Sequence, residues 1–171
     1  MTEKQGVLFR EEQKFSQIWV LIVVFVPVVL AWYAFIQQLM LDKPFGSNPA
    51  PDTVLWIIWT VFGIAFPVFF FSVKLSTEVR NDGIFIRFFP FHREFRTLPF
   101  EAVIKYEVRD YSPFKEYGGY GIRYGRSGKA YNVRGKKGVQ LELVSGRKIL
   151  IGSQKPDELA EAIRTAGKKQ M

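Results

Sequence analysis

Apolar and polar positions alternate in two different ways along this chain. Residues 18–36 are uncharged and apolar almost throughout, interrupted only by Pro27, and residues 54–73 repeat that pattern. About 20 apolar residues cross a bilayer as a helix, so the two runs predict a pair of transmembrane helices. The first run exceeds the ~7–15 residues of a signal-peptide core and no A-x-A site follows it, so it reads as a span. Beyond Val73 the period becomes two. Residues 75–80 and 84–89 read as strands around an Asn81-Asp82-Gly83 turn. In 102–109, Ile104, Tyr106 and Val108 alternate with Lys105, Glu107 and Arg109. Residues 121–124 and 130–133 flank a Gly125-Arg126-Ser127-Gly128 turn, and Val139, Leu141 and Leu143 alternate with Gln140 and Glu142 before a last strand at 148–151. Leu141 and Leu143 are expected in the core. Pro156, Asp157 and Glu158 then open a helix whose apolar stripe is Leu159, Ala162, Ile163 and Ala166.

The flanks of the spans give an expected orientation. Lys4, Arg10 and Lys14 precede the first span, and Lys74, Arg80 and Arg87 follow the second, whereas the loop 37–53 holds only Lys43. Lysine and arginine accumulate on the cytoplasmic side, so both termini are expected there, with the loop outside. The domains expected are a cytoplasmic N-terminal arm at 1–17, a transmembrane hairpin at 18–73 and a cytoplasmic domain at 74–171. Trp19, Trp32, Tyr33, Trp56 and Trp59 sit near the span ends, where amphipathic rings favour the headgroup level. Leu8, Phe15 and Trp19 fall near one helical face, so a short interfacial helix is expected in the arm; a partner-docking arm is the alternative. Mid-span Pro27 and Pro67 read as fixed kinks.

The order of elements, about seven short strands and then a helix, resembles the pleckstrin-homology (PH)-like fold. The stretches EEQKFSQIW at 11–19, GGYGIRY at 118–124, GKAYNVRGKKGVQLEL at 128–143 and GRKILIGSQKPDELAEAI at 146–163 resemble small prokaryotic membrane proteins that carry a bacterial PH-like domain after two helices. The resemblance implies an α+β membrane protein: two transmembrane helices, then an antiparallel PH-like β-barrel or sandwich closed by a C-terminal helix. That family is mostly of unassigned function, so the resemblance implies architecture and no activity. Many PH domains hold phosphoinositides with basic residues around the first hairpin; here that tip, residues 80–83, carries one cation, Arg80.

Composition narrows the chemistry. No cysteine and a single histidine, His92, exclude disulfide scaffolds, zinc fingers, thiol nucleophiles and multi-histidine metal sites. The glycines at 118, 119, 121, 125 and 128 lack the G-x-x-x-x-G-K-[ST] spacing and read as tight turns. Glu94 beside His92 reads as a surface pair, and no metalloprotease or nucleophile-elbow motif occurs, so no enzyme, cofactor or metal is expected. Neither span holds an ionisable residue, which argues against an ion or proton path.

Charge is the stronger signal. The net charge is +8, and from Lys74 onward 20 lysines and arginines face 11 acids. No acid lies between Glu116 and Glu142, where Arg123, Arg126, Lys129, Arg134, Lys136 and Lys137 are interleaved with Tyr117, Tyr120, Tyr124 and Tyr131. The candidate binding residues are those six cations with Tyr120 and Tyr124. No RNA- or DNA-binding pattern accompanies them. A tether would hold them beside an anionic leaflet, where each cation contributes ~1 kcal/mol. The expected function is a non-enzymatic, membrane-anchored adaptor or accessory subunit whose partners are membrane lipids and other integral membrane proteins. The alternative is an anionic-lipid-sensing module.

Overall fold

The computed structural model describes residues 6–168, which form two compact units. One is the stretch 15–73. The other joins residues up to Lys14 with those from Lys74 onward, so the chain leaves this unit and later returns to it.

The first unit is a helical hairpin. Helix α1 runs Ile18–Met40 and helix α2 Asp52–Ser72, and both are long and apolar enough to cross a membrane. Their apolar side chains are largely outward: Ile18 is 76% exposed and Val68 67%. A helix in the core of a soluble protein hides such residues, whereas here they form an extended outward apolar surface. The hairpin interior instead takes Val24, Ala31, Ala34, Phe35 and Leu55. Small residues let helix backbones approach closely. At Gly63 a Cβ would meet the Trp59 ring at 3.0 Å and the Trp32 ring at 3.3 Å.

The tryptophans expected to mark the span ends pack on one another. Phe35 stacks on Trp59 at 4.4 Å between centroids, and Trp32 and Trp56 meet Trp59 edge-on at 5.2 and 5.7 Å. The Trp32 indole N–H donates to the Gly63 carbonyl at 3.2 Å. Gly63 lies four residues before Pro67, which has no N–H to offer that carbonyl. Just before Pro67 the helix widens into i→i+5 hydrogen bonding, a response that accommodates the proline ring. The first helix runs to Met40 rather than stopping at Ile36. No breaker occurs until Pro44, which disfavours helix at the residue before it. The loop is tied back by Gln38, whose Nε2 donates to the Ala50 carbonyl and the Asp52 carboxylate, both at 2.8 Å.

The second unit is an open, sandwich-like α+β fold. Strands β1 (Val7–Lys14), β2 (Lys74–Arg80), β3 (Gly83–Phe89) and β4 (Arg96–Leu98) form one antiparallel sheet in sequence order. Strands β5 (Val103–Asp110), β6 (Gly121–Gly125), β7 (Gly128–Asn132), β8 (Lys137–Leu143) and β9 (Lys148–Gly152) form the other, ordered β5-β8-β9-β7-β6. A short helix α3 (Pro113–Tyr117) sits between β5 and β6, and α4 (Pro156–Lys168) closes the chain. The core takes Leu75, Val79, Ile84, Val139, Leu141, Leu150 and Ile151, all fully buried, together with Leu143 and the α4 stripe Leu159, Ala162, Ile163 and Ala166.

Three expectations are corrected. The arm is no interfacial helix: residues 7–14 are a strand paired with β2, from Val7 opposite Arg80 to Lys14 opposite Lys74. Its period is two, with Phe9 and Gln13 buried on one face. The Gln13 Nε2 donates to the Gly152 carbonyl at 2.8 Å, and the Glu11 carboxylate accepts from the Ser153 hydroxyl at 2.6 Å and the Gln154 N–H at 2.8 Å. The sheets are also not wholly antiparallel, because β7 pairs with β9 in parallel. Finally, β4 falls between the strands expected at 84–89 and 102–109, where no strand is expected because three residues are too few to show alternation. On β5 the apolar residues Ile104 and Val108 are exposed, while Arg109 turns toward Gln140 and Glu116.

Because Lys14 and Lys74 are adjacent, a chain in which a short Gly/Ser linker replaces residues 15–73 is expected to fold by itself. Its circular dichroism should be β-rich and its urea unfolding cooperative. Fragment 74–171, lacking β1, should be markedly less stable. Equal midpoints for the two would show that β1 contributes nothing.

Candidate functional site

The basic stretch is divided by strand parity. In the β6–β7 hairpin Tyr124 pairs with Lys129 and Ile122 with Tyr131, whereas Arg123 pairs with Ala130. Directly paired residues share a sheet face and successive residues alternate, so Tyr124, Lys129 and Tyr131 point one way and Arg123 the other. The Lys129 ammonium lies 5.2 Å from the Tyr124 ring centre and 4.6 Å from that of Tyr131, within cation–π range. Arg123 donates from Nε to the Tyr120 carbonyl at 2.9 Å, and the Tyr120 hydroxyl donates to the Gly135 carbonyl at 3.3 Å. Arg134, Lys136 and Lys137 belong to the β7–β8 connection and the start of β8. There the Arg134 carbonyl accepts from Gln154 Nε2, the Lys136 carbonyl from the Tyr111 N–H, and the Lys137 carbonyl from the Ser153 N–H. The eight candidate residues therefore do not form one face.

Three of them, Tyr124, Arg126 and Lys129, line a cleft of about 670 Å³ in the β unit. That volume is typical of small-molecule sites. The lining also takes Arg96, Thr97 and Leu98 from β4, Arg147 from the β8–β9 turn and Lys148 from the start of β9. No acid is among the lining residues. Among the described residues Lys148 reaches Glu142 at 3.9 Å, while Arg96, Arg126, Lys129 and Arg147 have no carboxylate within 4.0 Å. Sequence reasoning missed Arg96, Arg147 and Lys148. They come from separate segments, and only the topology gathers them; Ser145-Gly146 signals a turn but not what that turn faces.

Two acids or bases nearby report on this field. Glu116 ends the acid-free stretch, and its carboxylate accepts from Arg109 at 2.6 Å, the Ser112 N–H at 2.7 Å and the Ser127 hydroxyl at 3.3 Å. Burial works against its ionisation, but these hydrogen bonds and the Arg109 charge outweigh it and hold the carboxyl below its ordinary range. With three donors already bound, it is engaged in fastening α3 to the hairpin turn. His92 packs its ring against Tyr131 at 5.9 Å. Burial, then the cations Arg96 and Lys129, push its pKa below the ordinary histidine value.

The hairpin is positioned by Gly128. Its φ is +100°, and a Cβ there would fall on the Lys148 carbonyl oxygen, so only glycine lets β7 lie this close to β9. Gly128→Ala is expected to destabilise the chain by about 1–3 kcal/mol from backbone strain alone, more with the clash. A lowered thermal midpoint in detergent would show it, and an unchanged one would refute the close approach.

The His92 shift has a definite sign. A pKa lower in the folded than the unfolded state means that the folded state binds the proton less well. That stabilising contribution is complete above the ordinary histidine pKa and is lost as pH falls through the folded value. The ring resonances of this single histidine should titrate below the ordinary value, and Arg96→Gln with Lys129→Gln should move the midpoint upward. No upward movement would mean that the two cations do not act on the ring.

None of the curated proteins matches this chain. A family model does match, over residues 1–169, so that both apolar helices and the whole β unit fall within its length. The chain belongs to a family of unknown function (DUF6141).

Proposed function

We propose that this protein is a non-catalytic, membrane-anchored adaptor or accessory subunit of a membrane protein complex. In this reading α1 and α2 span the cytoplasmic membrane, the loop between them lies outside, and the β unit is a PH-like domain in the cytoplasm. The observation that carries the reading is the pairing of β1 with β2. It puts the chain entering the hairpin and the chain leaving it on neighbouring strands of one sheet, so two crossings begin and end on the same side. Lys4, Arg10, Lys14, Lys74, Arg80 and Arg87 flank that side, against Lys43 in the loop. The large outward side chains of the helices are aliphatic and aromatic, and the one charged residue within either helix, Asp52, stands at the start of α2, a surface suited to lipid tails and to other helices. Two sheets with a C-terminal helix support the PH-like comparison, and the parallel β7–β9 pair departs from it.

A second reading, a module that senses anionic lipid, is favoured by the acid-free lining of the cleft. The readings separate on purification in mild detergent. The adaptor reading expects a second integral membrane protein to co-purify in fixed ratio, and recovery of the chain alone would sink it. For topology, a reporter after Met171 should be cytoplasmic and one near Ser47 external. An external signal from the C-terminal fusion would overturn the orientation.

A further inference from the structure

We propose that the cleft of the β unit is a binding site for an organic phosphate, a phosphate ester carried on an apolar body. Four cations, Arg96, Arg126, Lys129 and Arg147, border the cleft without a carboxylate partner among the described residues. Such a group of like charges repels itself unless an anion is shared among its members. A carboxylate presents its two oxygens in one plane, whereas a phosphate diester sets two charged and two ester oxygens tetrahedrally around one centre, so that cations from separate segments can approach it from different sides. Arginine forks match phosphate geometry bidentately and supply charge-assisted hydrogen bonds. Three of the four cations are arginines.

The lining also has an apolar part, which a bare inorganic anion would not require. Ile86 and Leu143 form buried parts of the wall, with half-buried Leu98 and Ile149 beside them. Tyr124, 75% exposed, stands at the wall with Lys129 against its ring. Cations beside apolar walls fit a ligand with one charged end and one greasy end. The shared chemistry belongs both to the headgroup region of an anionic phospholipid and to a free organic phosphate, and the site does not depend on the adaptor reading.

His92 provides the readout, because it is the only histidine and its ring packs on Tyr131 of the cleft wall. The full chain, held in phosphatidylcholine nanodiscs, is titrated with dibutyl phosphate while the histidine resonances are followed. Dibutyl phosphate is a diester with no titration of its own near neutrality. Saturable binding is expected, with an upward move of the His92 pKa as the anion offsets Arg96 and Lys129. Dimethyl phosphate, which has little apolar area, should bind about tenfold more weakly or worse; equal binding would refute the apolar half of the site. A second arm replaces part of the phosphatidylcholine by phosphatidylglycerol. A response to that lipid supports the site and names the leaflet as the source, and a response to dibutyl phosphate alone supports it with a free ligand. Arg96→Gln with Arg126→Gln, both at exposed positions, should weaken binding at least tenfold, as should Lys129→Gln alone. Lys136→Glu with Lys137→Glu, outside the cleft, should leave it within about twofold. The proposal is overturned if neither probe moves His92, or if the glutamine variants bind as the unaltered chain does.

Discussion

The antiparallel seam between β1 and β2 is the contact on which the other features depend. It joins residues separated in sequence by the whole helical hairpin, and closing a loop of that length costs roughly 4 kcal/mol beyond a constant term. The seam's own hydrogen bonds do not stand alone against that cost. Gln13 and Glu11 fasten β1 to the end of β9 and the start of α4, and Phe9 enters the core. The hairpin independently brings its two ends near each other, where Phe15 meets Phe70 at 5.8 Å between ring centres. Each unit therefore places its own pair of chain crossings side by side, and this agreement between levels is what a sequence with one native state requires.

Much of this architecture was legible in the residues. The two helices follow from uninterrupted apolar runs, and the seven expected strands beyond Val73 all form, because a buried face every second residue is a strong pattern. What escaped was short or spoke in the wrong context. The strand 7–14 alternates, but its closeness to an apolar helix and its two glutamates invited a helical reading; only the partner strand 60 or so residues later makes the alternation meaningful. The three residues of β4 are too few to carry a period. Helix α3 did have a signal, Ser112-Pro113 with Glu116 and then Gly118, where the Ser112 hydroxyl accepts the Lys115 N–H and Gly118 closes the helix in a left-handed conformation.

The candidate site was legible by halves. An acid-free run of cations marks where positive potential concentrates, yet it cannot say which of them share a surface. Hairpin parity sends Lys129 and Arg123 to opposite sides, and the residues that complete the cleft arrive from β4 and the β8–β9 turn. Charge density is a property of sequence, whereas enclosure is a property of topology. The parallel β7–β9 pair carries that difference, since it lays the tyrosine-flanked lysine opposite Ile149, next to Lys148 at the start of β9 and Arg147 in the turn before it.

The Trp32–Gly63 hydrogen bond has a meaning beyond the two residues in it. Proline at 67 withholds a donor from its own helix, and the neighbouring helix supplies one at that height. The pairing of α1 with α2 is thus written as a deficit on one side and a surplus on the other. Apolar helices sliding past each other exchange one greasy contact for another at little cost, so their register is ordinarily loose. Here a shift by one turn would leave an indole N–H and a carbonyl unpaired among apolar side chains, where unmet polar groups cost several kcal/mol. A missing hydrogen atom in one helix thereby serves as an address for the other.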